Sequence, residues 1–342
     1  MDDRLGLLFD LLSVAAAILL TIAHVLLVWR IDRHEREPLR LLIVAFVWGA
    51  LPAVIMAGVI ETALHLPLVS MSQDYADILG VSFIAPPIEE MLKGLALWAV
   101  YRLARHEFDG VLDGIIYGSI VGFGFAMTEN VFYFWSAQTQ NDLAHWIVVV
   151  LGRSVVFGLN HAMFTSFTGI SFGLARYRHS RAARWAIVLT GLSAATLMHA
   201  LHNFFAASDL CLVSLLVDWG GVIVVLAVVI LAWQRECAWI RTHLVEEVRA
   251  GLLSPREFEL IASRGRRYRE TLRALTASHG FRQARLWRAL NDTATELAFK
   301  KHQLETMGEE RGASAKIAKL RKRLSAIRQQ LSVESPYIKE PS

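Results

Sequence analysis

Seven long apolar segments decide what this chain can become. They cover approximately residues 6–29, 41–64, 79–104, 111–136, 144–175, 183–207 and 212–234 of the 342. A helix needs about 20 predominantly apolar residues to cross the hydrocarbon of a bilayer, and each segment meets that length. The mean hydropathy of +0.40 and the 54% hydrophobic content exceed what an ordinary soluble chain carries. The expected fold is therefore all-α and polytopic, with about seven transmembrane helices in the lipid bilayer.

Charge divides the chain. From position 235 onward 22 Lys and Arg stand against 13 Asp and Glu, and before it 13 stand against 18. A transmembrane domain over 1–234 followed by a basic helical tail over 235–342 is the natural division. Arg30, Arg33, Arg36 and Arg40 mark the first connection, Arg102 and Arg105 the third, and Arg176, Arg178, Arg181 and Arg184 the fifth. The connections 65–78, 137–143 and 208–211 contain no Lys or Arg. Basic connections face the cytoplasm, which predicts an outer N-terminus, a cytoplasmic tail and a multi-pass protein of the plasma membrane. The start Met1-Asp2-Asp3-Arg4 lacks the basic region of a cleavable signal. Cys211 and Cys237 lie at opposite ends of one apolar run, so no intrachain disulfide is expected.

The tail reads as helical. Ser254-Pro255-Arg256-Glu257 combines an N-cap, a proline at the first helical position and a capping-box glutamate. A helix is expected over about 281–307, a break over 308–312, and a final basic helix over 314–331. A small hairpin or bundle near the inner leaflet follows, where the positive charge suits anionic lipid or a cytoplasmic partner. No nucleic-acid partner is expected.

Polar residues interrupt the apolar segments, and they carry the chemistry. Charges at membrane depth are expensive and are retained for function. The third segment holds Pro86-Pro87-Ile88-Glu89-Glu90-Met91-Leu92-Lys93. The prolines suit a first helical turn, and Lys93 shares a face with Glu89 and Glu90 at spacings of four and three. One carboxylate is then neutralised while the other is free to move protons. The fourth segment has small residues at 118, 122 and 126, a helix-packing face, followed by Glu129 and Asn130. The fifth carries Asn160, His161 and Thr165, the sixth His199, His202 and Asn203, with His199 and Asn203 on one face. Glu61, His65 and His24 are expected to meet interface water or a neighbour.

Depth supports a common cavity. At about 1.5 Å per residue, Glu89, Glu129 and His199 fall roughly 15, 10 and 12 Å below the outer end of their segments. His161 comes out deeper, roughly 20 Å, unless its helix tilts or starts late. Carboxylates with two histidines suit a catalytic metal that activates water. They equally suit a metal-free glutamate base with His and Asn on the oxyanion. The chain has no His-Glu-x-x-His, no Gly-x-Ser-Gly and no Gly-x-Gly-Asp motif. A proton- or ion-coupled transporter or membrane scaffold with a Glu/His relay is the alternative, but such folds show paired broken helices, and only one Pro-Pro break is visible.

The ordered series Glu89-Glu90-x-x-Lys93, Phe125-Ala126-x-x-Glu129-Asn130, His161 with Thr165 and Gly169, and His199-Ala200-Leu201-x-Asn203 resembles the PrsW family of intramembrane proteases. That family is related to the CAAX prenyl protease and bacteriocin-processing superfamily. Asp113-Gly114-Ile115-Ile116-Tyr117-Gly118 resembles the run into its second motif. The likeness covers about residues 80–207. It implies cleavage of membrane-anchored protein substrates such as an anti-sigma factor. By position it implies Glu89, Glu90, Glu129, His161 and His199 as site residues, with Asn203 where the superfamily has Asn or Asp. Lys93 joins them as the counter-charge of the acid pair, and Glu129, His161 and His199 are the candidate ligands in the reading where a zinc ion is bound. The basic tail lies outside the resemblance.

Overall fold

The computed structural model describes residues 3–31, 37–69, 73–105, 107–138, 142–263, 269, 280–309 and 312–334. No strand occurs among them, and the protein is an all-α polytopic membrane protein. The described residues fall into two compact units divided between Ile230 and Leu231.

The first unit contains α1 (Asp3–Trp29), α2 (Leu39–Trp48), α3 (Val54–Val69), α4 (Gln73–Leu79), α5 (Ala85–Leu103), α6 (Val111–Gln138), α7 (Leu143–Leu151), α8 (Asn160–Arg176), α9 (Arg181–Ala207) and the start of α10 (Cys211–Arg249). Six described helical stretches are long and apolar enough to cross a membrane. The stretch expected at 79–104 is helical but is not one of them, because Glu89, Glu90, Lys93 and Arg102 break its apolarity. Large apolar side chains such as Leu11, Leu19, Ile55, Val59 and Leu216 remain exposed on the outer helices, as a lipid-facing surface requires.

Three stretches widen into single π turns: Gly49–Ala53 between α2 and α3, Gly80–Ile84 between α4 and α5, and Gly152–Val156 after α7. Pro86 and Pro87 have no N–H to offer the carbonyls of Ser82 and Phe83, so the helix before Glu89 cannot keep ordinary α bonding. It widens there instead of breaking. Pro52 acts likewise within the first π turn. Such turns concentrate at functional sites.

The central helix is α6, with 78% of its apolar stretch buried, against 17–33% in the other five. Its partner is α8, and glycine sets their distance. A Cβ on Gly114 would lie 2.0 Å from the Gly169 carbonyl oxygen, and one on Gly169 would lie 1.9 Å from that of Gly114. Further along the same seam Gly118 meets the Thr165 carbonyl and Gly122 that of His161. The packing face expected at 118 and 122 is this contact, and it fixes the backbone of His161.

The second unit packs the end of α10 with α11 (Pro255–Ile261), α12 (Gly280–Met307) and α13 (Ala313–Glu334) around Ile240, Leu244, Leu290, Leu297, Leu320 and Leu324. Ser254 and Glu257 form the expected capping box. Gly308 and Gly312, both at φ +75°, close the α12–α13 turn in a conformation that favours glycine. Much of the basic charge is spent internally. Arg321 pairs with Glu246 and Glu247, Lys301 with the same two, Lys316 with Glu296 and Arg328 with Glu257.

Two measurements test this packing. Gly169→Val drives a side chain into the facing backbone and should cost about 3 kcal/mol or more of stability, the upper end of ordinary overpacking. Gly58→Ala, with open space around its Cβ, should be neutral or stabilising in the same unfolding assay. In the tail, His302 stacks on Trp239 at 4.1 Å and faces His243 at 3.2 Å. Burial, with His243 and Arg235 nearby, pulls its pKa from 6.5 down to about 4 against the opposing pull of Glu305. The unfolded tail therefore binds the proton first, and stability should fall as pH drops from 6.5 toward 4. Hydrogen exchange along α12 should rise over that window, and His302→Gln should flatten the rise.

Candidate active site

Lys93 sits at the centre of the site, with no exposed side-chain surface. Its Nζ donates to Glu89 Oε2 at 3.0 Å, to Glu90 Oε1 at 2.8 Å and to His161 Nδ1 at 3.1 Å, and lies 3.9 Å above the Phe125 ring. The three donors of an ammonium thus have three acceptors. The Glu89–Lys93 and Glu90–Lys93 pairs are those the helical spacing predicts.

Two imidazoles stand over this ion pair, and their partners fix their tautomers. An ammonium only donates, so His161 Nδ1 accepts and its Nε2 carries the proton. Nε2 lies 2.7 Å from Glu129 Oε2. His199 Nδ1 lies 3.1 Å from Glu90 Oε1, and its Nε2 points toward Glu89 Oε2 at 3.9 Å. A carboxylate on Nδ1 orients the ring and leaves Nε2 with a free lone pair. Phe164 stacks on His199 with centroids 4.7 Å apart, and the two imidazole rings meet edge to face at 5.1 Å.

Glu89 and Glu90 differ in freedom. Glu90 is fully buried, with Oε1 shared by Lys93 and His199 and Oε2 accepting from Thr165 Oγ1 at 3.0 Å. Glu89 uses Oε2 for Lys93, and among the described residues none of its polar contacts uses Oε1.

The structure brings Glu89, Glu90, Lys93, Glu129, His161 and His199 into one cluster. It differs from the sequence reading on the ion ligands and on Asn203. The acid that joins His161 and His199 as a possible ion-holding group, with donor atoms within 4.8 Å of one another, is Glu89. Glu129 is drawn aside by Arg153, whose Nη2 lies 2.9 Å from its Oε2 while Nε donates to Asn130 Oδ1 at 2.8 Å. Asn203 donates instead to the Val81 carbonyl at 2.8 Å, tying α9 to the π turn before α5. The depth of His161 also resolves. The helix stops after the third π turn and restarts at Asn160, so His161 stands in the first turn of α8.

Sequence reasoning missed two charged residues inside apolar stretches. Arg153 was the one cation of 144–175 and had a lone acid, Glu129, to meet. Asp218, buried in α10, accepts from His202 Nδ1 at 2.8 Å, and Ser214 Oγ lies 2.8 Å from the same nitrogen. The amide of Asn160 lies 3.2 Å from it as well. Serine and aspartate at one ring nitrogen do not make a nucleophile relay, which needs them on opposite nitrogens. This group instead ties α8, α9 and α10 together.

A sequence model described as PrsW family intramembrane metalloprotease matches residues 37–234, more than half of the chain. Protease PrsW of Clostridioides difficile is 29% identical over 205 residues, 59% of this chain and 79% of that protein. Protease PrsW of Geobacillus kaustophilus is 28% identical over 160 residues, 46% and 65% of the two chains. Protease PrsW of Bacillus subtilis is 27% identical over 175 residues, 51% and 72%. No solved structure matches the chain. With the matched span enclosing the whole cluster from Glu89 to His199, the chain belongs to the PrsW family of intramembrane proteases.

Proposed function

We propose that this protease is an endopeptidase of the plasma membrane that cuts membrane-anchored proteins, an anti-sigma factor being the substrate class, with Glu89 as the group that takes the proton from water. The observation that carries this reading is the inequality of the two adjacent acids. Glu90 has both oxygens engaged and holds His199, while the polar contacts of Glu89 all use Oε2, which leaves Oε1 to water in a residue grouped with both imidazoles. A general base must reach its water directly, and Glu89 satisfies that requirement.

Hydrolysis of a peptide bond joins the water oxygen to the carbonyl carbon, breaks the C–N bond and sends a proton to the departing nitrogen. Glu89 Oε1 takes the water proton and returns it to that nitrogen. Lys93 holds Oε2, which fixes the carboxyl group and favours its charged form in a place where bare charge is costly. Glu129, anchored by Arg153, fixes the ring of His161 through Nε2.

The family is described as one of metalloproteases, and the donor set suits a metal ion. One carboxylate and two imidazoles are the protein ligands of catalytic zinc sites that leave a position for water. Glu89 Oε1 and His199 Nε2 are free for this, and His161 Nδ1 becomes free when Lys93 turns wholly to Glu89 and Glu90. Glu89, Glu90 and Glu129 against Lys93 and Arg153 also leave a formal negative charge that a cation would balance. The residues fit an ion that Glu89, His161 and His199 would hold; it would polarise the scissile carbonyl and acidify water, and Glu89 Oε1 would then serve as its ligand instead of as the proton acceptor. Without it, His199 Nε2, once protonated, donates to the oxyanion.

Replacing Glu89→Gln with Glu90→Gln, or His199→Ala alone, should leave a folded membrane protein with cleavage reduced by about 10²–10⁴-fold; full cleavage by either in a purified system sinks the proposal. Arg153→Ala frees Glu129 and should slow cleavage by about 10–100-fold, the scale of losing a support to a site ligand. Elemental analysis of wild type beside His161→Ala and His199→Ala, with activity under chelation, decides the ion. Stoichiometric zinc lost in both variants supports it, and full activity in the metal-stripped protein removes it.

A further inference from the structure

Each peptide bond cut consumes a water, and the surrounding hydrocarbon supplies none. We propose that Glu61 and His65 line a water-access path running from the end of the bundle where α3 meets α4 down to Glu89. The inference rests on the hydrolytic reading above and adds to it residues that lie outside the catalytic cluster.

Most of α3 faces lipid, with Ile55, Val59 and Leu64 exposed. Glu61 and His65 break that pattern and stand one turn apart on one face, separated by about 6 Å along the helix. His65 Nε2 lies 3.3 Å from Asp77 Oδ1 on α4. The His65 ring also covers Gly80, where an added Cβ would lie 2.8 Å from it. Gly80 opens the π turn that leads into the helix of Glu89. The upper part of the path is therefore built against the same backbone that carries the catalytic acid.

The lower part is Glu61. Its Oε1 is buried and has no hydrogen-bond partner among the described residues, a costly state for a carboxylate oxygen at this depth unless water fills it. Ala57, one turn before Glu61, packs against Ile88, Leu92 and Phe125, so this face of α3 lies against the helix that carries Glu89. Side-chain exposure falls in order along the route, from 62% at Asp77 through 32% at His65 to 8% at Glu89. A polar descent of this kind through an apolar wall is the form a water path takes. Structural pairing alone would have left Glu61 with a partner.

Thiol accessibility tests the path without requiring catalysis. In full-length protein with Cys211 and Cys237 changed to Ser, Glu61→Cys and His65→Cys should react with a water-soluble methanethiosulfonate at least about tenfold faster than Ile60→Cys, whose side chain faces lipid at equal depth. Kinetics give the second arm. Glu61→Leu should lower kcat about tenfold at unchanged KM, while Glu61→Gln, still able to hold water, stays within about twofold of wild type. Equal labelling at positions 60 and 61, or wild-type kcat for Glu61→Leu, overturns the path. Absence of cleavage by the wild type overturns the hydrolytic reading instead and leaves the labelling result to judge the path.

Discussion

The ammonium of Lys93 has no water to hydrate it, so three acceptors from three positions must come to it. Glu89 and Glu90 arrive through their own helix, but His161 must be delivered by another. Losing a carboxylate weakens the match of charge in low dielectric, where an unmatched ion costs several kcal/mol. The arrangement is consequently closely coupled. Its by-product is chemical: the same contacts that satisfy Lys93 fix which nitrogen of His161 bears the proton, hold Glu90 fast and leave one oxygen of Glu89 without a partner.

Delivery of His161 depends on backbone contact between α6 and α8. The glycines at 114, 118 and 122 face Gly169, Thr165 and His161 in turn, so the two helices approach as closely as main chains can. In lipid the gain from burying apolar side chains between helices is small, and close packing and polar contacts carry the association. The seam and the ion cluster thus support each other: the seam sets the position of His161, and Glu129 and Arg153 hold its ring from the far side.

The local distortions around the site have a common reason. An ordinary apolar helix would carry its polar residues past one another at unmatched heights. The π turns before α5 and α8, with the stop at Phe157–Leu159, reset the register where Glu89 and His161 begin. One of these distortions was written in the chain as Pro86-Pro87. The other had only Gly158 as a sign, and a lone glycine in an apolar run is ambiguous, which is why His161 came out too deep from linear counting.

Several features were legible in the sequence because they are local. Apolar runs of sufficient length fix the helices. The i, i+3 and i, i+4 spacings fix the Lys93 pairs, and Ser254 with Glu257 fixes a cap. The ordered motifs placed Glu89, Glu90, Glu129, His161 and His199 together. Only the tertiary structure decided the contacts that cross between helices. It set Glu89 rather than Glu129 beside the two histidines, turned Asn203 to the Val81 carbonyl and matched Arg153 with Glu129. The physical reason is that spacing along one helix fixes which residues share a face, whereas the rotation and height of one helix against another come from packing that no single stretch of sequence contains.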